Sequence, residues 1–292
     1  MIKNKTSVGL IGVIIAVLFW GSAFPGVRYV VQRFNPLNLV ALRFLIASSG
    51  LLIFALLSKQ IRSPNIKDIP LLLTQGILGI SAYHLLLSWG QLTIPAGTAS
   101  LLNASSPCMA ALLAAVFLGE SLSRRGWLGM WIGFSGVSLI VISQGQDLSL
   151  AFSSVLILIA AFSQSLYYIL QRPFFAKYSP LELACYTVWG GTLPMLFFLK
   201  TPPSLDVSLI ITYLGIFPAA LAYIAWTYTL ANFSTARASS FLYFVPVVAI
   251  LVGWFGLNEK PAILSMVGGG IIIVGVILVN HRKLTPEVQE KS

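Results

Sequence analysis

The feature that most constrains this chain is a series of long stretches that contain no charged side chain. Blocks free of Asp, Glu, Lys and Arg cover residues 6–27, 69–119, 126–146, 148–171, 183–199, 207–236, 238–258 and 261–280, and a further block at 34–58 contains only Arg43. A helix needs about 20 apolar residues to cross the hydrocarbon core of a bilayer, and about 17 suffice for a short one. The blocks therefore predict an all-α polytopic membrane protein.

The lengths of these blocks predict ten transmembrane helices. The block at 69–119 is long enough for two helices, and we expect a tight turn between them at residues 93–97. Only 9% of the 292 residues are charged, against about 25% in soluble domains, which argues against a soluble enzyme or a disordered scaffold. The net charge of +10 comes from basic residues that stand singly or in pairs between the blocks. This placement is typical of membrane topology rather than of nucleic-acid binding.

The distribution of Lys and Arg predicts the orientation of the chain. Ten helices place both termini on one side of the membrane, and that side receives thirteen Lys and Arg residues against four on the other. Loops rich in Lys and Arg stay in the cytoplasm, so we expect both termini to be cytoplasmic in a multi-pass protein of the cell (inner) membrane. The polar tail at 284–292 is too short to fold alone.

The two halves of the chain resemble each other at an offset of 139 residues. The offset aligns Ala99 with Ala238, Pro107 with Pro246, Glu120 with Glu259, Gly129 with Gly268 and Gly136 with Gly275. Each half then contains five helices, and an odd number inverts the second half across the membrane. We predict inverted repeats at 1–146 and 147–283, an arrangement common in secondary transporters, whose substrate site lies near mid-membrane between the halves.

Several short motifs resemble those of one family. They are Phe-Trp-Gly-Ser-Ala-Phe at 19–24, Ala-Leu-Arg-Phe at 41–44, and a stretch from Pro107 to Glu120 that recurs from Pro246 to Glu259, with Asn258 in the second copy where the first has glycine. On these motifs the chain resembles an EamA-type member of the drug/metabolite transporter superfamily over nearly its whole length. The resemblance implies ten helices, an inverted repeat, and export or exchange of small metabolites such as amino acids.

Two titratable side chains stand inside the predicted helices. Arg43 is costly to place within a membrane, so it must face protein or water. It is either an anchor for a substrate carboxylate or a gate, or else a structural residue that bonds to helix-end carbonyl groups. His84 is either the carrier of a coupling proton or a donor to substrate, or else a neutral histidine packed between helices.

Uncharged polar and aromatic side chains inside the helices are the candidates for the substrate site. Amide and hydroxyl groups must find partners inside the membrane, so they are expected to point inward, whereas many aromatic residues pack or lie at the interface instead. The residues expected to bind substrate are Trp20, Ser22, Tyr83, His84, Asn103, Gln164, Trp189, Tyr223 and Tyr243, with Trp89, Gln91, Ser106, Tyr168 and Trp226 as further pathway candidates.

Other residues are interpreted as structural. Glu120 and Glu259 end corresponding helices, where each carboxylate is a gating or structural charge. The pair Gly129 and Gly133 forms a Gly-x-x-x-Gly motif that predicts close helix packing, either within the fold or between protomers, so both a monomer and a homodimer are expected states. Both cysteines lie in apolar stretches, and we expect buried free thiols.

The charge distribution also narrows the function. None of the eight acidic residues lies inside a predicted helix, which disfavours exchangers of cationic drugs because a buried cation needs a counter-charge. One interior arginine is too few for phosphorylated substrates. The expected function is a secondary transporter, an exporter or exchanger of small neutral or zwitterionic metabolites, driven by a proton, ion or substrate gradient. A lipid flippase or scramblase and an integral membrane lipid-modifying enzyme are the alternatives. No catalytic residue, metal, cofactor or nucleic-acid partner is expected.

Overall fold

The computed structural model describes residues 2–117, 123–143, 148–233, 238 and 241–280, and every regular element in these ranges is helical. The helices follow one another along the apolar blocks. They are α1 (Ile2–Val31), α2 (Pro36–Ser58), α3 (Ile69–Gly90), α4 (Ala96–Phe117), α5 (Arg124–Ser143), α6 (Leu148–Gln171), α7 (Pro180–Phe198), α8 (Leu205–Asn232), α9 (Phe241–Leu257) and α10 (Ile263–Asn280). The turn expected at 93–97 lies at 91–95, because Ala96 already begins α4.

The apolar surface of the bundle is that of a membrane protein. Among the described residues, seven helices are long and apolar enough to cross a membrane, and Phe241–Leu257 and Ile263–Gly275 are apolar but shorter. Large apolar side chains such as Leu57, Phe197 and Phe255 are at least 80% exposed. Arg43, by contrast, is only 2% exposed. This inside-out distribution of polarity suits a hydrocarbon surrounding.

Helix packing repeats itself between the two halves. Helix α1 packs on α8 and α9, and the corresponding helix α6 packs on α3 and α4. Helix α2 packs on the middle of α8, just as α7 packs on the middle of α3. The two halves therefore make equivalent contacts with each other, as the offset of 139 residues predicts.

The glycines singled out in the sequence lie in the contact between α5 and α10. A Cβ atom added at Gly136 would lie 2.6 Å from the carbonyl oxygen of Gly268, and one at Gly275 would lie 2.5 Å from that of Gly129. Shifting both residues of one contact by 139 gives the other contact, so the two helices run antiparallel about a pseudo-twofold axis. The close approach needs glycine at these positions because any side chain would meet the facing backbone. The motif is thus used inside the chain.

Both halves carry a π-helical turn at the corresponding place. In α3 it covers Ile77–Ala82, and in α8 it covers Gly215–Leu221. Pro218 lies inside the second turn and has no N–H, so the carbonyl of Leu214 loses its usual helical partner. A π turn within an α-helix often marks a functional site, because it redirects backbone carbonyls toward side chains.

Candidate functional site

A cavity lies in the middle of the bundle. It is lined by side chains of α1, α2, α3, α4, α6, α8 and α9. Seven of the residues singled out in the sequence as substrate-binding or charged line it: Trp20, Arg43, Tyr83, His84, Asn103, Gln164 and Tyr223. Residues of both halves therefore meet at one cavity.

Helix α1 shows how periodicity selects the lining. Trp20, Ala23, Phe24 and Val27 recur at helical spacing and all line the cavity. Ser22 lies on another face of the same helix, where its hydroxyl is 2.6 Å from that of Tyr213. Ser22 was a candidate because it belongs to the motif at 19–24, but a motif does not tell which face of the helix a residue occupies.

The structure places two other expected residues away from the cavity lining. The indole N–H of Trp189 donates to the carbonyl of Ser48 at 3.2 Å, in the contact between α7 and α2. Tyr243 is buried beside Leu242 but does not line the cavity. Glu120 lies outside the described residues.

Arg43 is held by the backbone of α8. Its Nε donates to the Leu214 carbonyl at 3.1 Å, a group for which Pro218 cannot supply the usual i+4 donor. Its Nη1 lies 3.4 Å from Nδ1 of His84. The third nitrogen, Nη2, has no hydrogen-bond partner among the described residues. Arg43 therefore combines a structural anchor with one free donor at the cavity.

His84 connects Arg43 to Tyr223. Its Nε2 lies 3.1 Å from the Tyr223 hydroxyl, and this hydroxyl donates to the Gly79 carbonyl at 2.8 Å within the π turn of α3. Because the hydroxyl proton is directed at Gly79, Nε2 of His84 must donate and Nδ1 must accept from Arg43. The geometry fits a neutral imidazole with both nitrogens engaged.

The second π turn anchors the aromatic wall in the same way. The Trp20 indole donates to the Pro218 carbonyl at 3.1 Å, and its ring packs edge-on against that of Tyr223 with centroids 5.5 Å apart. In the other half, the Ser163 hydroxyl donates to the Leu78 carbonyl at 2.9 Å. Both π turns thus fix side chains of the helix that crosses them.

Several residues that line the cavity carry polar atoms without a hydrogen-bond partner. Besides Arg43 Nη2, they include Asn103 Oδ1 and the Tyr168 hydroxyl, within the part of the chain that the structure describes. The hydroxyl of Tyr83 lies beside the amides of Asn103 and Gln164. Arg43 is the single charged side chain among the lining residues of the described ranges. The cavity therefore offers one positive donor, amide and hydroxyl groups, and aromatic walls.

An ionic cluster lies one helical turn beyond the cavity. The Arg28 guanidinium donates to Glu259 Oε1 at 2.9 Å and to the carbonyls of Gln91 and Leu92 at 2.6 and 2.8 Å. The other oxygen of Glu259 accepts from the backbone N–H of Ala96 at 2.9 Å. We call Arg28, Glu259 and the 91–96 turn the ionic cluster. The sequence analysis missed Arg28, although it is the charge that ends the first apolar block.

Comparison with known proteins decides the family. A family model described as "EamA-like transporter family" matches residues 7–142 and again 151–281. The chain belongs to the EamA-like transporter family. The double match fits the repeat seen in the packing, and the resemblance inferred from the motifs is confirmed. The protein is thus a multi-pass membrane protein of a transporter family.

Individual relatives agree with this assignment. The chain is 38% identical to "Uncharacterized transporter YdfC" of Bacillus subtilis (strain 168), over 94% of this chain and 89% of the relative. It is 37% identical to "Probable terminal-alkyne amino-acid exporter" of Streptantibioticus cattleyicolor, over 96% of both. A solved structure titled "Crystal structure of protein" aligns with a TM-score of 0.67 at 21% identity, over 94% of this chain and 96% of that one. This last likeness shows the fold.

Proposed function

We propose that this protein is a secondary transporter that exports or exchanges small neutral or zwitterionic metabolites, with aliphatic amino acids as the first candidates. It works by alternating access between two inverted five-helix repeats, at 1–146 and 147–283. We further propose ten membrane crossings in the inner membrane, with both termini and the tail at 284–292 in the cytoplasm. The equivalent contacts of the two halves and the antiparallel glycine contact of α5 and α10 support this arrangement.

One observation carries the substrate class: the same aromatic cavity is lined by residues that have unpartnered donor and acceptor atoms. Arg43 Nη2 is a charged donor suited to a carboxylate, and Asn103 Oδ1 is an acceptor suited to an ammonium group. Ala23, Val27, Leu87, Leu242 and Val245 supply an apolar wall for an aliphatic side chain. The exporter name of the relative from Streptantibioticus cattleyicolor points to the same class of solute.

Ligand-induced thermal stabilisation tests this substrate class. Purified protein is heated with L-leucine, with 3-methylbutylamine, which lacks the carboxylate, and with 4-methylpentanoate, which lacks the ammonium group. We expect stabilisation by L-leucine and none by the amine, because Arg43 faces the cavity without a counter-charge. Equal stabilisation by the amine would contradict the role of Arg43.

Two amide variants locate the site. Asn103→Ala and Gln164→Ala should each weaken apparent L-leucine affinity about tenfold or more, because a buried ligand group loses its hydrogen-bond partner. Asn232→Ala is the matched control. The Asn232 amide donates to the Tyr228 carbonyl at 2.8 Å, and this contact lies away from the cavity. Unchanged affinity in both site variants would move the site elsewhere.

Energy coupling is proposed to come from a proton, ion or substrate gradient. A coupling proton would bind to His84 at Nδ1, the atom that accepts from Arg43. The imidazole would then be positively charged, and its repulsion of the guanidinium would break the contact. His84→Gln should therefore abolish stimulation by a pH gradient in proteoliposomes while exchange of L-leucine continues. Stimulation that survives in this variant would rule out coupling through His84.

Topology and function class have separate tests. Reporters after Ser292 should read cytoplasmic, and those in the 144–149 and 201–205 connections should read external; a cytoplasmic signal from 144–149 would contradict five crossings in the first half.

Translocation of fluorescent lipid without amino-acid transport would favour a scramblase instead. The glycine contact is made within one chain, so a monomer is our first choice over a homodimer, which light scattering in detergent distinguishes.

A further inference from the structure

A second polar cluster lies inside the bundle, away from the cavity wall. It consists of Gln75 on α3, Tyr167 and Gln171 on α6, Thr187 on α7 and Thr227 on α8, and we call it the amide cluster. Each of these side chains is at most 1% exposed. Uncharged polar groups buried this completely in a membrane protein require partners.

Helix register places the two amides on the facing sides of α3 and α6. A Cβ atom added at Gly79 would lie 2.7 Å from the Tyr167 ring, so α3 and α6 touch there. Gln75 lies one turn before Gly79, and Gln171 lies one turn after Tyr167. Because the two helices are antiparallel, as the contact between Gly90 and Ile157 also shows, both turns lead in the same direction.

Most polar atoms of the amide cluster are unpartnered. The Tyr167 hydroxyl faces Gln171, Thr187 and Thr227 without a hydrogen bond of good distance and angle. Within the described ranges, both side-chain polar atoms of Gln75, both of Gln171, and the hydroxyls of Tyr167 and Thr187 lack a partner. Buried polar groups are normally hydrogen-bonded, so six such atoms in one place call for an explanation. They are suited to a bound polar solute.

A layer of tyrosines separates the amide cluster from the cavity. Tyr168 and Tyr223 line the cavity, and the ring of Tyr167 lies 5.4 Å and 6.4 Å from theirs, centroid to centroid. Along α3 the order is Gln75, then the cavity residues Tyr83 and His84, then Gln91 of the ionic cluster. At about 1.5 Å per residue, this order spans about 24 Å. The amide cluster is therefore the next polar region on the side opposite the ionic cluster.

We propose that the amide cluster is a second binding site. It holds the neutral or zwitterionic solute as this solute passes between the central cavity and the side of the membrane opposite the ionic cluster. The inference rests on the proposed transport function. Two carboxamides and two hydroxyls offer donors to a carboxylate and acceptors to an ammonium group, with no fixed charge to trap either. A site on a path must bind weakly enough to release its solute, and neutral groups meet this requirement.

The test replaces the amides by apolar side chains of similar size. In the double variant Gln75→Leu/Gln171→Leu, transport of radiolabelled L-leucine in proteoliposomes should fall about tenfold, the effect of losing one hydrogen-bonded contact. Thermal stabilisation by L-leucine should stay within about twofold of the unmodified protein, since the central cavity is untouched. Gln60→Leu, an exposed glutamine in the connection between α2 and α3, is the matched control and should transport normally.

Thr187→Val gives a second, milder variant that removes one hydroxyl and keeps the shape of the side chain. It should slow transport about threefold with unchanged central binding. Normal transport in both variants would overturn the second site, and so would joint loss of central binding and transport. Failure of the unmodified protein to transport or bind any amino acid would instead refute the proposed function itself, so the two failures are distinguishable.

Discussion

The two ends of the central cavity are built from opposite chemistry. At one end, the ionic cluster pairs the Arg28 guanidinium with Glu259 and with two backbone carbonyls, and it ties α1 to the 91–96 turn and to the end of α9. At the other end, the amide cluster has no charged member, and most of its polar atoms are unpartnered. One end is held by charged hydrogen bonds, whereas the other consists of tyrosine rings packed beside unpartnered polar groups.

The difference indicates which end opens at lower cost. Separating Arg28 from Glu259 exposes two charges at once, and each must regain its partners from water. Moving the tyrosine layer breaks aromatic packing and the hydrogen bonds of Tyr223, while it lets the amide cluster gain partners. The ionic cluster is thus the more strongly bonded of the two ends, and substitutions at the two ends should have opposite effects on stability.

The largest effect is expected at the ionic cluster. Arg28→Met and Glu259→Gln should each lower the free energy of unfolding by about 1–3 kcal/mol, because one partner of a partly buried pair is left alone. The double variant should cost less than the sum of the singles, which a double-mutant cycle measures. Arg33→Met, an exposed arginine near the same helix end, is the control. Additive losses would show that the pair does not act as a unit.

A smaller effect, of opposite sign, is expected at the amide cluster. Thr187 has an unpartnered hydroxyl, whereas that of Thr227 donates to the Tyr223 carbonyl at 2.8 Å. Thr187→Val should leave the stability unchanged or raise it by up to about 1 kcal/mol, and Thr227→Val should lower it by about 0.5–1.5 kcal/mol. Unfolding curves of the two isosteric variants provide the measurement. A loss at Thr187 equal to that at Thr227 would contradict the assignment of unpartnered atoms.

The smallest effect concerns a partly exposed ion pair between Lys177, which follows α6, and Asp68, which precedes α3. Lys177 and Tyr178 hydrogen-bond to the Asp68 carboxylate at 2.8 and 2.7 Å and lower the pKa of this carboxyl below its ordinary value. A carboxyl whose pKa is lower in the folded than in the unfolded state stabilises the protein at pH values above its unfolded pKa. This contribution is lost as the pH falls from about 4 through the lowered pKa of the folded state. Asp68→Asn should therefore lower the Tm slightly at pH 7, and its difference from the unmodified protein should shrink as the pH falls below about 4. An equal Tm at pH 7 would mean that solvent screens the pair completely.

Much of the fold was predictable because a membrane imposes simple rules on sequence. The uncharged blocks are helical in the structure. The repeat offset predicted the double family match, and it also relates the contact of Gly129 with Gly275 to that of Gly136 with Gly268. Of the proposed site residues, those at the cavity share a helix face with other lining residues. Ser22 and Trp189 do not, since residue type alone says nothing of how a helix is rotated about its axis.

The sequence by itself determined where helices form, that they repeat, and that one arginine must have polar partners inside a membrane. These are local or periodic properties, dictated by the cost of exposing charge and backbone to hydrocarbon. Tertiary structure alone decided the partners. Arg28 meets Glu259 across 231 residues, and Arg43 meets the Leu214 carbonyl beside the π turn of a distant helix. Gln75 and Gln171 share one buried space only because α3 and α6 pack antiparallel at Gly79, and such contacts depend on helix rotation and register, which no single segment encodes.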